Sequence, residues 1–154
     1  MVSIGLVDDH PLMIEGIITL FSRTQGLAIS STGSTAKDII DISSRFQPDV
    51  IIVDLSMAGD VYEAIATSIK VSPNTKIVAF TAATGVDSAI RALDAGANGY
   101  VLKGSSAQEL IQAIDDFIKH HNANPKAFVW TKKAADILEK VARARAALNN
   151  VPTA

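Results

Sequence analysis

Short apolar runs alternate along this chain with longer stretches whose apolar residues recur every three or four positions. Val2 to Val7 is the first run, broken only by Ser3 and Gly5. It stops at Asp8-Asp9-His10-Pro11, after which Leu12, Ile14, Ile17, Ile18 and Phe21 follow helical spacing. Pro11 suits the first position of that helix, where a missing N–H costs nothing. Gln25-Gly26 ends it, and Leu27 to Ser31 reads as a second, weaker strand. Ser34 or Thr35 caps a helix over Ala36 to Arg45. Pro48-Asp49 then opens the run Val50-Ile51-Ile52-Val53, which breaks at Asp54. Four β-branched residues between turn formers predict a strand buried on both faces, as in a parallel sheet.

The alternation continues. Asp60 to Val71 is helical, Ser72-Pro73-Asn74 is a turn, and Lys76 to Phe80 is a strand ending at Thr81. Val86 to Ala95 is a helix stopped by Gly96. Gly99 to Leu102 is a fifth short strand, followed by Lys103, and Ser105 or Ser106 caps a helix from Ala107 to about His120. Five strands interleaved with five helices predict a doubly wound parallel α/β sheet with right-handed crossovers. The pattern breaks at Asn122-Ala123-Asn124-Pro125, a short linker. Phe128-Val129-Trp130 is a small extended piece or a docking anchor. From Thr131 to about Leu148 the Ala-, Lys- and Arg-rich sequence favours an extra helix. The expected organisation is one domain over 1–121 and a linker with a helix over 122–154.

Bulk composition narrows the function classes. With 48% hydrophobic residues among 154, the chain can bury a proper core, and with 5% aromatics that core is aliphatic. A net charge of −2 gives no general argument for binding nucleic acid or anionic membrane. The absence of Cys excludes disulfides, thiolate metal sites and Cys nucleophiles. Polar residues interrupt every apolar stretch before it reaches membrane-spanning length. The early Asp8-Asp9 does not fit a signal peptide, so a cytoplasmic location is expected.

The chemistry gathers just past the strand ends: Asp8 and Asp9 after the first, Asp54 after the third, Thr81 after the fourth, Lys103 after the fifth. In a parallel sheet these share the carboxyl edge, where ligands sit. Each alone has an ordinary structural use as a cap, a turn former or a surface residue. Together they are hard to explain that way. Three carboxylates side by side repel unless a cation sits among them. Mg²⁺ fits, because it takes a few carboxylates together with water and phosphate oxygens. Lys103 adds a point charge suited to a phosphoryl oxygen, and Thr81 a hydroxyl. The set describes a cradle for phosphoryl transfer to a carboxylate.

Asp8-Asp9-His10-Pro11, the strand PDVIIVDLSM, Thr81, and the block from Ala95 to Lys103 (AGANGYVLK) resemble a response-regulator receiver domain over about Val2 to His120. The DDHP start and the AGANGYVLK block are most similar to the NarL/FixJ subfamily, whose output is a LuxR-type helix-turn-helix domain. The resemblance implies a flavodoxin-like five-stranded sheet in the order 2-1-3-4-5. It implies that Asp54 is the phosphoacceptor, charged by a histidine kinase. It further implies that Asp9 and Asp54 ligate Mg²⁺ directly, Asp8 through water and Ser56 through its backbone carbonyl. Lys103 would hold a phosphoryl oxygen, and Thr81 and Tyr100 would form a switch pair. There are departures from the pattern. The loop Met57-Ala58-Gly59-Asp60 is shortened and lacks the usual Pro, Gly104 stands where Pro is common, and Ala83 is small enough to leave the path of an attacking water open.

The function expected is therefore a phosphoacceptor receiver domain of a two-component system, without turnover beyond its own phosphorylation and dephosphorylation. It would switch transcription through a DNA-binding domain beyond Ala154, with a homodimer as one possible output. A stand-alone receiver acting through protein contacts is the alternative. A haloacid-dehalogenase-like phosphohydrolase is a rival from another class, but it needs a second acid two residues past its nucleophile, where Ser56 stands. His10 reads as a helix-entry residue and Met57 as loop packing.

Overall fold

A computed structural model describes residues 1–82, 85–104, 107–123 and 129–130, with 139, 142–143 and 146–147 placed singly as helical. Apart from those single positions, the expected helix over 131–148 falls outside the described residues, as do the capping serines at 105 and 106, the linker over 124–125 and Ala83.

The elements are β1 (Val2–Val7), α1 (Pro11–Ser22), β2 (Leu27–Gly33), α2 (Ala36–Arg45), β3 (Val50–Val53), α3 (Val61–Val71), β4 (Lys76–Thr81), α4 (Val86–Ala95), β5 (Gly99–Leu102), α5 (Ala107–Ala123) and β6 (Val129–Trp130). The strands pair in the order β2-β1-β3-β4-β5-β6, all parallel. The 2-1-3-4-5 order is as expected. The short extended piece at Val129–Trp130 adds a sixth strand beside β5, because a helical crossover after β5 returns the chain to that otherwise open edge. β2 runs two residues further than its composition suggests, since Thr32 and Gly33 still pair with Leu6 and Val7. As an edge strand it tolerates polar, half-exposed positions there.

Alternation along the central strands sorts the core into two layers. Val7, Ile51, Val53, Ile77, Ala79, Tyr100 and Leu102 face α2, α3 and α4. Ile4, Leu6, Val50, Ile52, Val78, Phe80 and Val101 face α1 and α5, meeting Ile17, Phe21, Leu110 and Ile114. Both faces of β3 are covered and all four of its residues are buried, which is why its sequence shows no polar alternation.

Local signals place the helices. At the start of α2 the Thr35 hydroxyl accepts from the Asp38 N–H, while the Asp38 carboxylate accepts the Thr35 N–H at 3.0 Å. Asp60 caps α3 by accepting the Glu63 N–H at 3.0 Å. Gly96 ends α4 in the left-handed region at φ 109°, a conformation that costs glycine nothing.

Candidate functional site

Backbone ladder bonds extend past the strand ends and pin the site residues. The Asp54 N–H donates to Val7 O at 2.9 Å, the Asp8 N–H to Gly33 O at 3.1 Å, and the Lys103 N–H to Thr81 O at 2.7 Å. Each side chain is thus held by the rigid sheet and projects from its carboxyl edge. Asp8 and Asp54 are buried, at 0% and 1% exposure, whereas Asp9 stays open to solvent.

Between the two buried acids lies the Lys103 ammonium, 2.9 Å from Asp8 Oδ2 and 3.3 Å from Asp54 Oδ2. These are ion pairs in which the nitrogen sits off the hydrogen-bonding directions, since neither Oδ2 accepts a hydrogen bond of ordinary geometry. The other oxygens are better served. Asp54 Oδ1 accepts from the Ser56 N–H at 3.1 Å and from its hydroxyl at 2.8 Å. Asp8 Oδ1 accepts the His10 N–H at 2.9 Å. Burial pushes the Asp54 carboxyl upward, but the two Ser56 bonds and Lys103 outweigh it and hold the group below the usual carboxylate value. Asp54 is therefore an anion at neutral pH, with its buried oxygen aimed into a pocket containing a cation.

The ligand atoms of Asp8, Asp9, His10 and Asp54 all lie within 4.8 Å of one another. Two buried carboxylate oxygens without hydrogen bonds, beside a third, exposed carboxylate, match what a hard divalent cation requires. The pocket has the charge and the donors for a metal.

Thr81, fully buried, ends β4 at the same edge. Tyr100 is also fully buried, within the layer facing α4, where the Ser88 hydroxyl hydrogen-bonds its phenol. Burial raises that phenol, with the Ser88 bond opposing. The acids, Lys103 and Ser56 therefore form one cluster, Thr81 ends β4 with its carbonyl accepting the Lys103 N–H, and Tyr100 lies in the core layer.

Two features go beyond the sequence reading. Ser56 was expected to act through its carbonyl, yet its hydroxyl and N–H both hold Asp54. His10 is indeed the residue entering α1, but its side chain makes no cap. Its Nδ1 instead lies 2.8 Å from Asp8 Oδ1, 3.0 Å from Asp9 Oδ1 and 3.6 Å from Asp54 Oδ2. The bond to Asp8 raises the imidazole above its ordinary pKa against the opposing Lys103 charge. Its position directly after two acids was the available signal. Met57 packs in the core at 5% exposure, consistent with a packing role.

A parallel doubly wound sheet with an acidic pocket and a lysine at its carboxyl edge defines a class of phosphoryl-handling domain. Residues 4–115 match the response regulator receiver domain model, and the chain belongs to that family. It is the receiver domain of a two-component response regulator. Over 115 residues it is 30% identical to the response regulator GacA of Pseudomonas aeruginosa, covering 74% of this chain and 54% of that protein. Over 145 residues it is 32% identical to an uncharacterized transcriptional regulatory protein, YxjL, of Bacillus subtilis, covering 94% and 64%. Its fold superposes on a LuxR-family two-component response regulator from Aurantimonas sp. SI85-9A1 with a TM-score of 0.80 at 30% identity, covering 95% of this chain and 99% of that one. The chain thus spans 54% and 64% of the length of these two curated relatives. Among the described residues no helix is long and apolar enough to cross a membrane.

Proposed function

We propose that Asp54 is the phosphoacceptor of this receiver, charged by a histidine kinase in the cytoplasm. The observation that carries this is the buried Asp54 at the end of β3, with Oδ2 held 3.3 Å from Lys103 Nζ. An Asp54 oxygen attacks phosphorus, and the bond from phosphorus to the donor nitrogen or acyl oxygen breaks. The product is an acyl phosphate, and the donor leaves with the electron pair. Lys103 takes up the added negative charge on one phosphoryl oxygen, and the Thr81 hydroxyl hydrogen-bonds another. Asp8, Asp9, Asp54 and the Ser56 carbonyl would hold Mg²⁺, which supplies charge neutralisation between the acids and the incoming phosphoryl group.

Phosphorylation places new charge and acceptor oxygens beside Thr81, and Tyr100 with α4 is the element that reads it. Residues 1–121 act as the receiver unit, and 122–154 lead towards a LuxR-type DNA-binding output. The kinship to a LuxR-family regulator and to a transcriptional regulatory protein supports that output.

Incubation with Mg²⁺ and acetyl phosphate, followed by intact mass, tests the central step. Wild type should gain one phosphoryl group and Asp54→Asn none. A wild type that stays unmodified, or an Asp54→Asn variant that still gains the group, overturns the assignment. Continuous turnover of donor would point to the phosphohydrolase instead.

A further inference from the structure

The His10 ring has no task in the phosphoryl chemistry above, yet it faces the acids. The His10 backbone N–H donates to Asp8 Oδ1, and this tight turn brings the ring back over the carboxylates. Nδ1 sits 2.8, 3.0 and 3.6 Å from one oxygen each of Asp8, Asp9 and Asp54. It is also 3.5 Å from Lys103 Nζ, so this nitrogen points into the pocket.

In an octahedral shell with bonds of about 2.1 Å, neighbouring ligand atoms stand about 3 Å apart and opposite ones about 4.2 Å. The His10 distances to Asp8 and Asp9 fall at the neighbouring spacing. The distance to Asp54 lies between the two, and all four ligand atoms fit within 4.8 Å. Independently, the Oδ2 atoms of Asp8 and Asp54 are buried, face the same space and accept no hydrogen bond. The cluster thus offers two carboxylate oxygens held only by ion pairs, which a metal ion can replace, and one imidazole nitrogen that now hydrogen-bonds Asp8 Oδ1.

Ligand chemistry then separates the metals. Mg²⁺ takes oxygen ligands and retains its water, whereas imidazole suits first-row transition ions, whose affinity rises from Mn²⁺ towards Ni²⁺. We propose that His10 Nδ1 is a nitrogen ligand of the divalent-cation site, so that this receiver favours transition-metal ions over Mg²⁺ more than an all-oxygen pocket would. The inference rests on the reading that the acidic pocket holds a divalent cation. With the side chain 60% exposed, the ring is free to swing out and leave its position to water when Mg²⁺ binds.

Calorimetric titration of the whole chain with Mg²⁺ and with Ni²⁺, in wild type, His10→Ala and His10→Asp, tests this at pH 8. Any Ni²⁺ held elsewhere on the chain is common to all three proteins and cancels. Loss of even an outer partner costs a metal site about tenfold, so His10→Ala should lose at least that for Ni²⁺ and little for Mg²⁺. His10→Asp should turn the preference towards Mg²⁺. Pulsed electron paramagnetic resonance of the Mn²⁺-loaded wild type should show a ¹⁴N coupling that His10→Ala removes. An unchanged Ni²⁺ to Mg²⁺ ratio, or absence of that coupling, overturns the proposal. So does tighter binding of both metals by His10→Ala, which would make the ring a counter-ion that metal must displace. If Mg²⁺ binds and Asp54 is phosphorylated without the coupling, this inference alone fails. If wild type binds no divalent cation, the cation reading of the pocket fails with it.

Discussion

The two edges of the sheet treat buried polar groups in opposite ways. At the amino edge the Thr75 hydroxyl donates to Pro48 O at 2.7 Å and meets the Ser72 hydroxyl at 2.7 Å, with both residues buried. Nearby, Asp49 Oδ2 accepts the Ser3 N–H at 2.9 Å, and the Asp49 N–H donates to the Ser3 hydroxyl at 3.0 Å. Those groups satisfy one another and tie loops to strand starts. At the carboxyl edge, Asp8 and Asp54 are buried as deeply, but each keeps an oxygen that accepts no hydrogen bond and is met only by ion pairs, to Lys103 and, for Asp54, also to His10. Burying a charge without full hydrogen bonding is costly. The amino edge uses its polar groups to hold the fold, whereas the carboxyl edge spends stability to keep acceptors open for a ligand.

Lys103→Met should break this contrast most visibly. It leaves two buried carboxylates facing one another without their cation, and removing one partner of a buried ion pair costs about 3 kcal/mol or more. Protonation of one acid limits the loss. Urea unfolding should show this drop without metal and a substantial recovery with saturating Mg²⁺, because a cation between the acids replaces the lost charge. Equal destabilisation with and without Mg²⁺ would show that the open oxygens are not a cation site. The same titration on Thr75→Val supplies the control from the other edge. There the loss should be about 1–2 kcal/mol, from the orphaned Pro48 carbonyl and Ser72 hydroxyl, with no response to Mg²⁺.

Most of the scaffold and half of the pocket could be read from the chain alone, for reasons these two edges make plain. Val50 to Val53 announces a doubly covered strand because apolar layers cover both of its faces, and Asp54 stands out against it. Asp8, Asp9, Thr81 and Lys103 are legible because a parallel sheet sends all its strand ends to one edge. The His10 ring is not legible in that way. Its place depends on the turn between β1 and α1, where one backbone rotation decides between solvent and carboxylates, and no periodicity encodes that choice. The Ser56 hydroxyl is similar: a serine two residues past an acid suits a turn anywhere, and its bond to Asp54 Oδ1 emerges only when the β3–α3 loop is anchored by buried Leu55 and Met57. The sixth strand needed the free edge of β5, which is a property of the assembled sheet.

One acid at the carboxyl edge sharpens the comparison by belonging to the other kind. Asp38, at the start of α2, accepts the Ser34 N–H at 2.8 Å and the Thr35 N–H at 3.0 Å on its Oδ2. The Ser34 bond and the Thr35 contacts outweigh its partial burial and hold its carboxyl below the ordinary value. The unfolded chain, with an Asp near pH 3.9, therefore binds more protons than the native state just below that pH. The Asp38 contribution is complete above that point and is lost as pH falls through the lower native value. Being partly exposed, it should amount to about 1 kcal/mol or less. Thermal melts of wild type and Asp38→Asn should differ by that amount at pH 7 and converge as the medium is acidified past this window. Gly33→Ala should erase the same increment, because a Cβ there would stand 2.4 Å from Asp38 Cβ and push the cap aside. Neither difference should respond to Mg²⁺, since the oxygen that caps α2 already has its partners. A Mg²⁺-dependent shift in Asp38→Asn would mean that position along the sheet edge, rather than unfilled acceptor oxygens, decides which acids take the ion.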